Sequence, residues 1–266
     1  MTAVGDVSLS IGMFSGAWRQ ICTGAPGTVI SPGEGIEYIF SGIPVPFFNV
    51  GLLTARDISS PELERLAREA VGFASDKNAP WLLVSTRETL AEPEGADAVL
   101  DACGFSPLMP MTGMVADDVP SGRVPPDLTL SVPSDARGRA AILDVNSAAY
   151  AMDLSAGRQQ VEKPEFWGGG TPVLGTVGDT PVASAAVLMV DGVRYVALVA
   201  TDPAHQRRGY ADAAMRHALA LAAEAHGPCP TLLHATDAGR PVYERMGYRP
   251  ISSHMVYLEK RFLGDH

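Results

Sequence analysis

Apolar positions recur along this chain at the helical and at the strand period. In SSPELERLAREAVGFA, Leu63, Leu66 and Ala70 share one helical face. Ser60 is placed to cap and Pro61 stands at the first helical position, which predicts a helix over about 61–75. WLLVST (Trp81–Thr86) is an unbroken apolar run of buried-strand length. Ile11–Cys22 predicts a helix, Gly35–Phe40 a short strand, Ala96–Cys103 another short helix, and Phe105–Met109 the start of a strand. IPVPFFNVGLL is apolar but interrupted by Pro44 and Pro46, so it reads as an edge strand. Within it, Phe40–Asn49 reads either as apolar lining of a cleft or as plain core.

The second half has a clearer order. Leu128–Val132 predicts a strand and Ala136–Met152 a helix with a break near Gly138. Val173–Val177 and Val182–Val190 are separated by a Gly-Asp turn, and Asp191-Gly192 precedes Arg194–Thr201, so three antiparallel strands follow one another. Then come an alanine-rich helix over Gly209–Gly227, a short strand over Leu232–Ala235, a short helix over Arg240–Met246 and a closing strand over Ser253–Lys260. A meander feeding a helical crossover is an α/β domain with a mixed, mostly antiparallel sheet. There are too few strand–helix units for a barrel, and no GxGxxG. PLMPMTGMVADDVPSGRVPPDLTL, rich in Pro, Gly and Asp, reads as the connection between two domains, 1–126 and 127–266.

Composition narrows the class. The 266 residues are 46% hydrophobic and 19% charged, a chain able to bury a large core. Twenty basic residues face 30 acidic ones, for a net charge of -10. This excludes broad, nonspecific nucleic-acid binding, and no nucleic-acid partner is expected. Residues 1–130 hold 16 acidic and 7 basic side chains, residues 131–266 hold 14 and 13, and all six histidines lie in the second part. Three cysteines without a CxxC give no zinc or dithiol motif, and no metal is expected. Their odd number fits a reducing compartment. MTAVGDVSLS lacks the basic start of a signal peptide, and no run approaches about 20 apolar residues. A cytoplasmic protein with no membrane partner is the expectation.

The most informative stretch is YVALVATDPAHQRRGYADAAMRHALALA. A strand ends at Thr201, Pro203 turns the chain, and Gln206-Arg207-Arg208-Gly209-Tyr210-Ala211 leads into a helix. Several backbone N–H groups without helical partners converge there, and the helix dipole adds positive potential. Gly209 and the small Ala211 allow a ligand close to the backbone, and Arg207 and Arg208 add charge. Such a turn suits a pyrophosphate held by N–H donors rather than by a metal. The plainer reading is two solvated arginines beside a helix start.

These residues resemble the coenzyme A signature of the GCN5-related N-acetyltransferases (the GNAT family): Gln or Arg, two residues, Gly, one residue, Gly or Ala. Gln206, Gly209 and Ala211 match it. The family also carries an Asn–x–x–Ala–x–x–Leu–Tyr–x–x–x–Gly–Phe pattern about 30 residues later. Here TDAGRPVYERMGY matches at Tyr243, Gly247 and Tyr248 and departs at Thr236, Gly239 and Val242. The resemblance covers roughly 131–266. The whole chain is similar to bacterial members with a degenerate amino-terminal copy of the fold. That copy would be structural or help form a substrate cleft, and would bind no acyl donor.

By this resemblance, Val199, Ala200 and Thr201 would offer backbone hydrogen bonds to the pantetheine arm of acetyl-CoA. The N–H groups of Arg207, Arg208, Gly209, Tyr210 and Ala211, with Gln206, would cradle its pyrophosphate. Tyr243 would protonate the departing thiolate; its alternative is a core aromatic. Many family members carry Glu at one of the two positions held here by Ala197 and Leu198, so that carboxylate is missing, and either ordered water and the backbone or another side chain would remove the proton. His234, with a free pKa near neutrality, is the candidate base, against a core or surface histidine. His205 is a weaker candidate. Asp144, Asn146 and Tyr150 would border the acceptor cleft, and Trp167 would form an aromatic wall on a mobile loop; surface and core roles compete for each. The implied reaction is acetyl transfer from acetyl-CoA to a primary amine of a small molecule. A catalytically weak acyl-CoA binder and a protein-amine acetyltransferase are the alternatives, as a monomer or a homodimer.

Overall fold

A computed structural model describes residues 3–263. In chain order the elements are α1 (Ala3–Cys22), β1 (Val29–Pro32), β2 (Ile36–Phe40), β3 (Asn49–Leu53), α2 (Ser60–Ala74), β4 (Leu82–Thr86), α3 (Ala96–Ala102) and β5 (Phe105–Ala116). They continue with β6 (Thr129–Ser131), α4 (Ala136–Tyr150), α5 (Arg158–Val161), α6 (Pro164–Trp167), β7 (Thr171–Val177), β8 (Thr180–Val190) and β9 (Val193–Thr201). The last are α7 (Tyr210–His226), β10 (Thr231–Thr236), α8 (Arg240–Arg245) and β11 (Arg249–Glu259). Among the described residues no helix is long and apolar enough to cross a membrane.

The chain forms two compact units, and the division does not follow a single cut near residue 126. The first unit holds the residues up to Met114, His234–Arg240 and the chain from Pro250 onward; the second holds Val115–Leu233 and Pro241–Arg249. In the first, the strand order is β1-β2-β3-β4-β11-β5. The pairs β1–β2, β2–β3 and β4–β11 are antiparallel, and β3–β4 is parallel. In the second the order is β10-β9-β8-β7-β6, with only β10–β9 parallel. Each unit therefore repeats one topology. An antiparallel meander is followed by a helix, α2 or α7, that returns the chain to a strand parallel to the meander's last.

The first unit's core explains why it recruits the closing strand. Leu63, Leu66, Ala67, Ala70 and Ala74 form the buried face of α2 and pack in one cluster with Trp81, Phe105 and Tyr257. Val256 and Leu258 fill a second cluster with Phe14, Val50 and Val84. Period two along β11 thus feeds both faces of a sheet otherwise built from residues before 115. Polar ties fix the register: the Tyr257 hydroxyl donates to Asp97 at 2.7 Å, and the Trp81 indole N–H donates to Glu259.

Several expected boundaries shift for local reasons. β3 is an inner strand rather than an edge, because Pro44 and Pro46 lie in the loop before it. The buried Asn49 side chain holds that loop, accepting from the N–H groups of Ser41 and Gly42 and donating to the carbonyls of Ile43, Val45 and Pro80. Phe40–Asn49 is thus scaffold, with Phe40 packed in the core. β5 runs on to Ala116 through Pro107 and Pro110, which both stand in its exposed part, while the buried part, Met111–Ala116, has no proline. α4 is unbroken because Gly138 lies in its first turn, where the Asp135 side chain accepts its N–H at 2.7 Å. β1, α5 and α6 have no counterpart in the sequence expectations.

Deleting residues 250–266 should unfold the first unit although its other strands are intact. Limited proteolysis should then cut within residues 3–114, and the burial of Trp81, read by fluorescence, should be lost. A truncated chain that kept both would show that β11 is dispensable.

Candidate functional site

The turn after β9 has the geometry of an anion cradle. The Asp202 carboxylate accepts the Ala204 N–H at 2.9 Å and meets His205 Nδ1 at 3.2 Å, which closes the short 3-10 turn over Pro203–His205. Gln206 is extended, Arg207 takes φ 62°, and Gly209 takes φ 79° at the start of α7. A Cβ on Gly209 would meet nothing within 4 Å, so glycine is needed there for its backbone angle rather than for space. Left-handed residues in such a turn rotate successive N–H groups toward one side, forming a nest. Among the described residues, the N–H groups of Arg207, Arg208 and Gly209 reach no protein acceptor, and no side chain caps α7. Residues 206–209 are exposed, whereas Tyr210 is buried with Leu128 and Val182 and donates its hydroxyl to Asp127. That hydrogen bond first, then Arg208 and His205, holds the Asp127 carboxyl below its usual range.

The corresponding helix start in the first unit is filled by the chain itself. The Ser60 N–H and hydroxyl at the start of α2 both donate to the Glu92 carboxylate, and these bonds hold the Glu92 carboxyl below its usual range. Just before it, Ile58 N–H donates to Thr89 and Ala91 N–H to Ile58, each at 2.9 Å. One helix end thus has its own carboxylate; the other is open.

β9 is irregular over its second half. It pairs with β10 only over Arg194–Val196 and then diverges, while Ala200 and Thr201 stay paired to β8. A bulge at Leu198, φ 53°, marks the divergence. The Leu198 carbonyl accepts from Ser184 Oγ at 2.8 Å and from Asn146 Nδ2 at 3.4 Å, and Asn146 also donates to Ser184. Val199 O faces the Tyr150 hydroxyl at 3.4 Å. Tyr243, on α8, is half-buried with its ring 6.0 Å from that of Tyr248. Burial first, then Tyr150 and Tyr248, pushes the Tyr243 phenol up, so it keeps its proton at neutral pH. Gly247 takes φ 101° after α8, and Tyr248 returns its N–H to the Tyr243 carbonyl at 3.0 Å and shares a hydrogen bond with Thr231 at 2.9 Å.

The other expected site residues fall elsewhere. Asn146 is buried and spent on the bulge, so it positions β9 rather than facing an acceptor. Trp167 is 4% exposed, donates its indole N–H to Val161 O at 2.9 Å and packs edge-on against Phe166, which makes it an anchor for α5 and α6 instead of a mobile wall. Asp144 is an exposed partner of Arg158. Tyr150, 47% exposed, stays beside β9. His234 belongs to the first unit, where Ser10 Oγ lies 2.9 Å from its Nε2 and 3.1 Å from His254 Nε2. Ser252 donates to Ser10 at 2.7 Å, and Thr86 meets His254 Nδ1 at 3.0 Å. The two imidazoles are 4.7 Å apart and Phe14 packs edge-on against His234. Burial, then His254, holds the His234 imidazole well below its ordinary pKa, and burial holds His254 down to about 4. Ser10, Ser184, Asp127 and His254 were not singled out from sequence, because nothing in their local spacing marks them.

A family model of the acetyltransferase (GNAT) domain matches residues 169–250, the span that holds the open helix end, the diverging β9 and Tyr243. The chain is similar in structure to a GCN5-related N-acetyltransferase from Kribbella flavida, with TM-score 0.70, 20% identity, and 97% of this chain and 95% of that one covered. It is similar to an acetyltransferase of the GNAT family from Novosphingobium aromaticivorans, with TM-score 0.55, 17% identity and coverage of 91% and 95%. It is also similar to a tandem GNAT protein from the clavulanic acid biosynthesis pathway, with TM-score 0.55, 11% identity and coverage of 100% and 98%. No curated protein sequence matches the chain. Residues 169–250 thus match a GNAT domain, and the chain has the fold of solved GCN5-related N-acetyltransferases, one of them a tandem GNAT protein.

The neutral histidine cluster has a pH consequence. Both imidazoles gain protons more readily in the unfolded chain, so the stability they confer is present above pH 6.5 and is lost as pH falls toward 4. For His254 alone this amounts to about 3 kcal/mol. The denaturant midpoint of the first unit should fall over that window, and His254→Gln should flatten the fall; an unchanged slope would remove the assignment.

Proposed function

We propose that this chain transfers an acetyl group from acetyl-CoA to a primary amine of a small molecule, by direct attack. The observation that carries this reading is the open nest of N–H groups at Arg207–Gly209, next to a strand that has diverged from its neighbour. The nest suits a diphosphate. The unpaired edge of β9 at Val199–Thr201 suits the amide groups of a pantetheine arm. The fit extends to charge, since Arg207 and Arg208 have no carboxylate partner within ion-pair distance among the described residues.

Acyl transfer from a thioester needs a neutral amine, a held carbonyl, and stabilisation of the charge that develops on oxygen and sulfur. Tyr243 is suited to the last of these. Its phenol is held protonated, and thiolate is a good enough leaving group for a weak acid to serve it. The first unit would bind no acyl donor, because Glu92 already occupies the helix end where a diphosphate would sit. The net charge of -10 favours a cationic acceptor in general terms. The location proposed is cytoplasmic.

One observation favours a second reading, a catalytically weak acyl-CoA binder. Ala197 and Leu198 offer no carboxylate, and the depressed pKa of His234 makes it a poor base. Amine-dependent thiol release across an amine panel would select the enzyme. Tight binding without turnover would select the binder.

Calorimetric titration with acetyl-CoA should give one site per chain. Two sites would overturn the assignment of the first unit, and none would overturn the whole reading. Tyr243→Phe should lower kcat about 100-fold while the affinity for acetyl-CoA changes little. Turnover unchanged in that variant would leave Tyr243 as a packing ring.

A further inference from the structure

We infer that the cavity bounded by the 118–123 segment, α7 and the end of α8 receives the 3′-phosphorylated nucleotide end of the acyl donor, with Arg123 and Arg245 as the residues that bind its 3′-phosphate. This rests on the donor reading above. The cavity measures about 650 Å³, and its walls carry three arginines, Arg123, Arg216 and Arg245, against Asp118 and Asp212. All of it belongs to the second unit.

The three arginines have different roles. Arg216 is a clasp. Its Nε donates to Asp212 at 2.9 Å and its Nη1 donates to the Pro120 carbonyl, which fastens the 118–123 segment to α7. Gly122 sits so close that a Cβ there would stand 2.5 Å from Arg216 Cδ. Asp212 is thereby neutralised. Arg123 and Arg245 are exposed and have no carboxylate within ion-pair distance among the described residues. Two guanidinium groups left without carboxylates in a chain of net charge -10 make the cavity a local cationic site. The buried Met246 gives it an apolar floor.

The position fits the chemistry of the donor. Coenzyme A carries pantetheine on one side of its diphosphate and a phosphorylated adenosine on the other. With the diphosphate on the turn and the pantetheine along β9, the nucleotide must leave over another surface. Asp212 and Arg216 lie three and seven residues beyond Gly209, about 4.5 and 10 Å along the axis of α7. The cavity therefore opens within the first two turns of the helix whose end holds the diphosphate. A phosphate monoester there would gain charge-assisted hydrogen bonds from planar guanidinium groups. Arg207 and Arg208 remain for the diphosphate.

The test compares coenzyme A with dephospho-coenzyme A, which lacks only the 3′-phosphate, by calorimetry on the full chain. The wild type should prefer coenzyme A by roughly tenfold or more. Arg123→Ala with Arg245→Ala should abolish that preference while the affinity for dephospho-coenzyme A stays within about twofold, because both side chains are exposed and outside the turn. A preference that survives in the double variant and falls with Arg207→Ala or Arg208→Ala would overturn the inference and move the 3′-phosphate to the turn. So would equal binding of both ligands by the wild type. Failure of both ligands to bind the wild type would instead overturn the donor reading itself, which is a different result.

Discussion

The second unit depends on keeping β9 apart from β10 beyond Val196. A parallel pair left to itself would continue its ladder, since each unpaired N–H or C=O inside a protein is costly. The bulge at Leu198 removes that option. Its left-handed backbone turns the Leu198 carbonyl toward Ser184 and the buried amide of Asn146, so the group that would have faced β10 is satisfied inside the domain. A bulged, non-glycine residue at positive φ is disfavoured on its own and needs such fixed partners. The edge of β9 left unpaired with β10 at Val199–Thr201 follows from that separation.

The two units show how one topology yields two different helix ends. In each, a meander strand leads through a turn into a crossover helix. The first unit ends its turn with Ser59-Ser60-Pro61, and Glu92 supplies the anion that the exposed N–H groups and the helix dipole attract. The second unit ends it with Arg207, Arg208 and Gly209, of which Arg207 and Gly209 are left-handed, and leaves their N–H groups without an acceptor among the described residues. The difference lies in a few side chains and not in the architecture. A carboxylate 32 residues downstream is enough to turn an open helix end into a capped one.

Much of this was legible in the residues. Pro61 and the Leu63/Leu66/Ala70 face gave α2 to within a residue at each end, because both signals are local; Ser60, expected to cap, is instead the first helical residue and donates to Glu92. The Gly-Asp and Asp-Gly turns gave the meander for the same reason. Gln206–Ala211 and Tyr243 were visible as a spaced pair of motifs, and the structure leaves 206–209 exposed, Tyr210 buried and Tyr243 half-buried beside its neighbours. Asn146 and Trp167 misled, because a polar amide and an indole look alike in sequence whether they face a ligand or close a core. Their partners, Leu198 and Val161, lie 52 and 6 residues away and are chosen by packing.

The sequence by itself determined the local elements, the acidic balance and the Gln206–Ala211 motif, since each is written in residues close along the chain. Only the tertiary structure decided which unit the last strand joins, whether a helix end is open or filled, and which histidines meet. Val256, Tyr257 and Leu258 carry a strand's pattern but no address; the apolar surface they complete, on residues about 170 positions earlier, supplies it. His234 and His254 stand in different strands and share Ser10 from the first helix. That meeting depends on the packing of three distant segments, which no local pattern encodes.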